Sequence, residues 1–162
     1  MRITHYLYNT FVIESFDKRL AIDPGARFFY FFRFTSLLPE SLWKNITHIF
    51  VTHGDPDHFW NADRVAEASD APIICNKNMV RNIQGKALML GPRDKGLSFT
   101  TPVKKLHTLS VGETIQLDGI LITGIKTTHG ELVLKFGPFS KTVKPGPEER
   151  IGWGAIGYNI TL

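Results

Sequence analysis

The chain has 162 residues, of which 43% are hydrophobic and 21% are charged, as in an ordinary globular protein. This composition excludes a disordered, collagen-like or coiled-coil chain, and no apolar run approaches the roughly 18 residues of a membrane-spanning helix. The net charge of +4 leaves two interpretations: affinity for an anion, or a solvated surface with an excess of lysine. We favour the second because the basic residues are scattered. We expect no nucleic-acid partner, because no motif of a nucleic-acid-binding module is present.

The first half of the chain alternates predicted strands with helices. Short runs rich in apolar, β-branched and aromatic residues predict strands at 2–13, 19–22, 46–51 and 72–75. Asp23-Pro24-Gly25 predicts a turn after the second of these. Apolar residues recur at helical spacing within 59–69, and 77–86 is a second helix candidate.

The second half of the chain is predicted to consist mainly of strands. These lie at 103–109, 114–117, 120–125 and 154–162. Asp118-Gly119 predicts a tight hairpin. Helices among the first strands, followed by a run of strands, indicate a mixed α/β layered fold. With no linker or repeat apparent, we expect a single domain over residues 1–162.

Cys75 and the aromatic segment 27–34 each lead to a prediction. Cys75 is the only cysteine, so no internal disulfide can form, which favours a reducing, cytoplasmic location. Because it lies in a predicted apolar strand, we expect a buried, inert thiol. The aromatic segment 27–34 has two interpretations. In the first, it forms a substrate lip or a peripheral contact with lipid. In the second, which we favour, it packs in the core or against a second copy of the chain.

The residues most informative about function follow the predicted strand 46–51. His53, Asp55, Asp57 and His58 lie within six residues, and imidazole and carboxylate groups are the ligands of zinc and related divalent ions. Charged groups at this density are costly to bury without a cation. The alternative is a polar loop with Asp57 as the N-cap of the next helix. Capping explains one aspartate only, so we favour a metal site.

At this point the sequence resembles a known family. Thr52-His53-Gly54-Asp55-Pro56-Asp57-His58 is similar to the His-x-His-x-Asp-His signature of the metallo-β-lactamase-fold hydrolases. Ala21-Ile22-Asp23-Pro24-Gly25 resembles the family's early strand, which ends in Asp-Pro-Gly, and His129 stands where the third ligand histidine would be. The resemblance is greatest to the branch grouped with the ascorbate-6-phosphate lactonases, where the strand after that histidine is similar to residues 152–158. It implies an αββα sandwich: two sheets packed face to face, helices outside and metal at one edge.

The resemblance also implies roles for the site residues. His53, Asp55 and His129 would hold a first divalent ion, and Asp57 and His58 would contribute to a second. Metal-bound hydroxide would attack an ester, lactone or phosphodiester bond of a small, anionic substrate, with Asp57 as the catalytic proton acceptor. The competing interpretation is a catalytically impaired metal-binding module that holds an anionic ligand or partner.

Three features qualify this picture. The family's second histidine is Asp55 here, and a carboxylate oxygen moves the metal preference from zinc toward manganese, iron or magnesium, with zinc retained as our first expectation. The family's bridging aspartate and last histidine have no counterpart in the 162 residues. We therefore expect a fragment of a longer protein, in preference to a homo-oligomer that completes the fold or a degenerate relative. Asp23 either orients a ligand histidine or serves as a turn residue.

Overall fold

The computed structural model describes residues 1–25, 27–28, 35–36, 38–83, 86–89, 103–144 and 154–162. Within these ranges the helices are α1 (Pro56–Phe59), α2 (Ala62–Ser69) and the short 3-10 helices Glu40–Leu42 and Lys77–Met79. The strands are, in chain order, β1 (Arg2–His5), β2 (Phe11–Ser15), β3 (Lys18–Ile22), β4 (Arg27–Phe28), β5 (Thr35–Ser36), β6 (His48–Phe50), β7 (Ile73–Asn76), β8 (Val80–Ile83), β9 (Lys86–Met89), β10 (Leu106–Leu109), β11 (Thr114–Leu117), β12 (Ile120–Ile125), β13 (Leu132–Phe136), β14 (Phe139–Val143) and β15 (Gly157–Thr161).

The larger sheet has the strand order β1-β2-β3-β6-β7-β10. β1, β2 and β3 form antiparallel hairpins, whereas β3, β6, β7 and β10 run parallel to one another. Parallel strands are covered on both faces and are therefore apolar along most of their length. Every residue of β6 and β7 is buried accordingly.

The two faces of the larger sheet pack against different layers. Because side chains alternate along a strand, Ile49 and Ile73 lie in the core cluster on the helix side, together with Val65 of α2. Phe50 and Ile74 belong to a second cluster, on the opposite face. The apolar runs predicted as strands therefore contribute side chains to both hydrophobic clusters.

A second sheet covers that opposite face. It is antiparallel, with the strand order β11-β12-β15, and its Ile120 and Ile122 lie in the same cluster as Phe50. The Tyr158 hydroxyl of β15 crosses between the sheets and donates to the backbone oxygen of Val51 at 2.6 Å. Two sheets packed face to face, with α2 outside the larger one, confirm the predicted α/β sandwich.

The predicted strand 2–13 is wrong as a single element. It is two strands, β1 and β2, separated by a turn in which the Thr10 amide donates to the Leu7 carbonyl oxygen at 3.2 Å. Tyr8 has φ of 56°, a left-handed conformation that cannot continue a strand. The turn brings residues 7–10 to the edge where β3 ends, since β2 and β3 are antiparallel with Phe11 opposite Ile22.

The helix predictions need two corrections. The predicted helix 59–69 is two helices, because Trp60 and Asn61 interrupt it and α1 already begins at Pro56. The candidate helix 77–86 is wrong: one 3-10 turn is followed by β8 and β9. The Asn76 side chain accepts a hydrogen bond from the Asn78 amide at 2.9 Å and caps the 3-10 turn, after which the chain is extended from Val80.

Hairpins account for much of the second half. The predicted Asp118-Gly119 turn is confirmed, with φ of 47° and 83° at its two residues, as a tight hairpin requires. The hairpin β13–β14 was not predicted as an element. It pairs Phe136 with Phe139 next to its turn, and both rings are exposed.

Three expectations about single segments can be compared with the structure. Cys75 is buried, and burial raises the pKa of its thiol to about 12, which confirms an inert thiol. Of the aromatic segment 27–34, Arg27–Phe28 pairs with Thr35–Ser36, and residues 29–34 lie outside the described residues. In the described part of the chain, no helix is both long and apolar enough to cross a membrane.

Candidate metal centre

The candidate residues gather at one edge of the larger sheet, beyond the carboxyl ends of β3 and β6. Asp23 follows β3, and residues 52–58 follow β6. Carboxyl ends of adjacent parallel strands lie at the same edge, where ligands commonly bind in α/β sheets. The edge also receives the turn at residues 7–10.

Backbone packing at Gly25 brings the turn after β3 against the start of α1. A Cβ atom added to Gly25 would lie 2.0 Å from the backbone oxygen of Asp57 and 2.4 Å from the backbone nitrogen of His58. Real Cβ contacts are never this short, so only glycine permits the two segments to approach so closely. The Asp23-Pro24-Gly25 turn therefore sets the position of Asp57 and His58.

The first ligand group consists of His53, Asp55 and His129. The Nε2 atoms of His53 and His129 each lie 3.4 Å from Oδ2 of Asp55. One ligand atom from each of the three residues lies within 4.8 Å of the other two. His129 reaches the group from the segment that follows β12 in the second sheet, so the packing of the two sheets completes it.

Hydrogen bonds define the tautomer of His53. The Thr52 hydroxyl donates its proton to Oδ2 of Asp23 at 2.7 Å, so its oxygen accepts from Nδ1 of His53 at 2.9 Å. In the neutral ring, Nε2 of His53 then carries a lone pair. That atom is buried and has no hydrogen-bond partner among the described residues.

The same reasoning applies to His129. Its Nδ1 lies 2.7 Å from the backbone oxygen of Gly130, and a carbonyl oxygen can only accept, so Nδ1 carries the proton. Nε2 of the neutral ring again bears a lone pair and faces Asp55. Two imidazole lone pairs and a carboxylate oxygen thus converge on one point.

This arrangement fits a divalent cation. Bonds of 2.0–2.2 Å to zinc in a tetrahedral site separate neighbouring ligand atoms by about 3.4 Å, and the two His–Asp distances are each 3.4 Å. Buried polar atoms normally have a hydrogen-bond partner. A cation would satisfy the buried Nε2 of His53, for which the described residues supply no donor.

The second ligand group consists of Asp57 and His58. Nδ1 of His58 donates to Oδ2 of Asp23 at 2.8 Å, so Asp23 orients this histidine and also occupies a turn with φ of 47°. Oδ2 of Asp57 lies 3.7 Å from Nε2 of His58. The amide nitrogen of Asn9 contacts both atoms, at 3.1 Å and 2.8 Å respectively.

Asp23 changes the electrostatics of His58. Burial lowers the pKa of the His58 imidazole, but the hydrogen bond and the charge of Asp23, together with the charges of Asp57 and Asp55, outweigh burial and raise the pKa above its usual value of 6.5. Asp23 also accepts from the Thr52 amide at 2.7 Å. One buried carboxylate thus holds His58 directly and His53 through Thr52.

All five candidate ligands lie at this edge: His53, Asp55 and His129 lie together, and His58 lies beside Asp57. The helix-cap alternative for Asp57 is wrong: α1 begins at Pro56, and the backbone oxygen of Asp55 accepts from the His58 amide at 2.9 Å. The sequence did not point to Asn9. An isolated asparagine 44 positions before the motif carries no signal, and only the turn between β1 and β2 brings it to the centre.

Comparison with known proteins agrees with this architecture. The sequence profile of the metallo-β-lactamase superfamily matches residues 7–136. A UPF0173 metal-dependent hydrolase of Mesorhizobium japonicum is 32% identical over 130 residues, covering 70% of this chain and 51% of that protein. A second, from Alkaliphilus metalliredigens, is 30% identical over 132 residues, covering 76% of this chain and 54% of the relative.

Among solved structures, Igni18, a metallo hydrolase from the archaeon Ignicoccus hospitalis, superposes with a TM-score of 0.52 at 20% sequence identity, over 78% of this chain and 48% of that one. This likeness concerns the fold alone. The chain spans about half the length of the curated relatives it matches. Because the profile covers most of the chain, including β2 to β13 and the candidate centre, the chain belongs to the metallo-β-lactamase superfamily.

Proposed function

We propose that this chain is part of a metal-dependent hydrolase. The convergence of two imidazole lone pairs and a carboxylate oxygen at His53, His129 and Asp55 carries the proposal. The name metal-dependent hydrolase given to its relatives supports it. His53, Asp55 and His129 would hold the first ion, and Asp57 and His58 would contribute to a second.

We assign zinc to the first group, with manganese or iron as alternatives. Two imidazole nitrogens favour zinc, whereas the Asp55 carboxylate is a harder ligand that suits manganese and iron. Bound there, the ion would lower the pKa of a water molecule toward about 7 and polarise the scissile carbonyl or phosphoryl group.

The chain's own residues then have separable tasks. Asp57, whose side chain is 51% exposed, is open to solvent and would accept the proton of the attacking water at a carboxylate oxygen. Asp23 keeps His58 in one tautomer, and Thr52 does the same for His53. These buried contacts hold the ring orientations before a substrate arrives, which lowers the cost of organising the centre.

The substrate class is an ester, lactone or phosphodiester. The proposed substrate is a small, anionic molecule, since a divalent cation bound at the centre would attract negative charge. Because the single cysteine, Cys75, can form no internal disulfide, we propose a cytoplasmic protein. Substrate selection in this fold depends on surface loops, and the fold by itself does not name the molecule.

The test combines metal analysis with hydrolysis assays. The wild type should retain at least one equivalent of zinc after dialysis and hydrolyse a model ester, lactone or phosphodiester. His53→Ala should lose that equivalent, and Asp57→Ala should lower turnover at least about a hundredfold while retaining the first ion. His107→Ala, the same change in β10, is the matched control and should keep both properties.

Two results would contradict the proposal. Unchanged metal content in His53→Ala would mean that the first group is not the metal site. Metal binding without hydrolysis of any of the three substrates would instead support a metal-binding module that holds an anionic ligand.

A further inference from the structure

The carboxamide of Asn9 lies against the second ligand group. Its Nδ2 atom is 2.8 Å from Nε2 of His58 and 3.1 Å from Oδ2 of Asp57, and those two acceptors are 3.7 Å apart. Three polar atoms from two distant segments therefore form a small triangle beside the first group.

The edges of this triangle lie within a few tenths of an ångström of the spacing of ligands around one cation. Bonds of 2.0–2.2 Å separate neighbouring ligand atoms by about 3.0 Å in an octahedral site and by about 3.4 Å in a tetrahedral one. The three observed distances are 2.8, 3.1 and 3.7 Å. Asn9 thus occupies the place of a third ligand beside the histidine and the aspartate.

The backbone holds Asn9 in this place. The Tyr6 amide donates to the Thr10 carbonyl oxygen at 2.8 Å, which closes the turn that contains Asn9. The buried Thr10 hydroxyl donates to the backbone oxygen of Asp23 at 2.9 Å. The turn is therefore anchored to the same residue that orients His58, so Asn9 and its two partners are positioned together.

An asparagine side chain can serve this position in two ways. With its nitrogen inward, it donates to the lone pair of His58 and to the Asp57 carboxylate, as observed. A half-turn about χ2, a broad two-fold torsion, exchanges nitrogen for oxygen at the same point. The amide oxygen is a hard ligand that suits divalent cations.

We propose that Asn9 is a metal ligand, which through Oδ1 completes a second divalent-cation site with Asp57 and His58. When that cation is absent, the amide nitrogen of Asn9 holds the other two ligands in place by hydrogen bonds. The inference rests on the proposed function, since Asp57 and His58 are its second ligand group. It adds a ligand that comes from outside the histidine–aspartate motif.

Equilibrium dialysis of the full chain against Zn²⁺ alone, and against Mn²⁺ alone, tests the inference. The wild type should bind one equivalent tightly and a second more weakly. Asn9→Ala should raise the dissociation constant of the second equivalent at least tenfold and leave the first unchanged. Asn9→Asp, which keeps the shape and supplies a charged oxygen, should lower it. Asn45→Ala, the same substitution at an exposed turn residue, should change neither.

Visible absorption of the Co²⁺-loaded protein gives a readout that is independent of affinity. The spectrum of the second equivalent should differ between Asn9→Ala and the wild type, and the first should not. Thermal unfolding in chelator checks that the variants fold. If Asn9→Ala does not fold, the test is the dissociation constant of the second metal equivalent in Asn9→Asp.

The failures are distinguishable. Loss of the first equivalent from the wild type would overturn the proposed function. Two results would overturn the Asn9 assignment alone, provided that the wild type binds its first metal equivalent normally. In one, the wild type takes up no second metal equivalent. In the other, Asn9→Ala binds the second metal equivalent as tightly as the wild type or more tightly. In the last case the amide would only obstruct the cation.

Discussion

The two ligand groups of the candidate centre lie at the same sheet edge but differ in what their polar atoms contact. In the first group, Nε2 of His53 is buried and has no hydrogen-bond partner among the described residues. In the second, His58 and Asp57 accept hydrogen bonds from Asn9, and His58 also donates to Asp23.

This difference indicates the order in which cations bind. A buried lone pair without a partner costs free energy that a cation recovers, so the first group gains most from an ion. The second group already has its hydrogen bonds, which an incoming ion must replace. We therefore expect the first group to bind a cation more tightly than the second. Three variants test how the groups are supported, and a fourth, at His48, provides a contrast. They follow from the largest expected effect to the smallest.

Gly25→Ala should have the largest effect, because it acts on the backbone beneath the second group. The added Cβ would lie 2.0 Å from the Asp57 backbone oxygen, and α1 would have to move. We expect a loss of about 3 kcal/mol or more in the free energy of unfolding, measured by urea titration in chelator. Gly130→Ala is the matched control, since a Cβ there meets nothing within 4 Å. Equal stability of the two variants would contradict the close approach.

Asp23→Asn should weaken the second group while keeping the shape of the side chain. The buried carboxylate accepts hydrogen bonds from the Thr52 amide, the Thr52 hydroxyl and the His58 ring. An amide cannot accept all three, so we expect a loss of about 2–3 kcal/mol in unfolding free energy. The second metal equivalent should weaken by about tenfold to a hundredfold.

The control for Asp23 is Asp17→Asn, at a side chain that is 78% exposed. It should change stability by less than about 0.5 kcal/mol. A second equivalent that binds Asp23→Asn as tightly as the wild type would show that the orientation of His58 does not matter for the metal.

Asp55→His tests which metal the first group prefers. It replaces the carboxylate oxygen by an imidazole nitrogen, so the preference for Zn²⁺ over Mn²⁺ should rise at least about tenfold in competitive dialysis. Asp55→Glu keeps a carboxylate and should leave the preference nearly unchanged. The same Zn²⁺/Mn²⁺ ratio in Asp55→His and the wild type would remove Asp55 from the ligand set.

His48 provides a contrast with His58 and the smallest expected effect. Its side chain is buried, 3.7 Å from Oδ2 of Asp118; burial lowers the pKa of His48 more than the charge of Asp118 raises it. The unfolded chain therefore takes up this proton more readily, so folding stability falls as the pH drops through and below about 6.5.

His48→Gln should remove that contribution. The stability of the wild type relative to the variant should be greatest above pH 6.5 and should decline as the pH falls. Urea titrations between pH 5 and pH 8 in chelator measure this difference. Parallel curves for the two proteins would show that burial does not shift the titration of His48.

The elements that the sequence predicted best are those with a dense local signal. The Asp118-Gly119 pair predicted its hairpin because few other residues adopt two successive left-handed conformations. The apolar runs at 46–51 and 72–75 predicted buried strands, since both faces of β6 and β7 are covered. The strand 2–13 was wrong because its aromatic and β-branched composition concealed a turn at Tyr8, which is uncommon at positive φ.

The sequence by itself was enough to predict the chemistry of the candidate centre. The types and spacing of His53, Asp55, Asp57 and His58 predicted a metal site, because no polar loop or helix cap needs so many ligand groups together. The short distance along the chain made this prediction possible, since the six residues 53–58 after one strand contain all four. His129 was added by the resemblance to a family.

Only the tertiary structure decided what supports the two groups. The tautomer of His53 depends on Thr52 and Asp23, and the second group depends on Asn9, which lies 48 positions from Asp57 in the chain. Hydrogen bonds between such distant residues leave no periodic pattern in the sequence. They arise because antiparallel pairing of β2 with β3, and parallel pairing of β3 with β6, bring three separate turns to one edge.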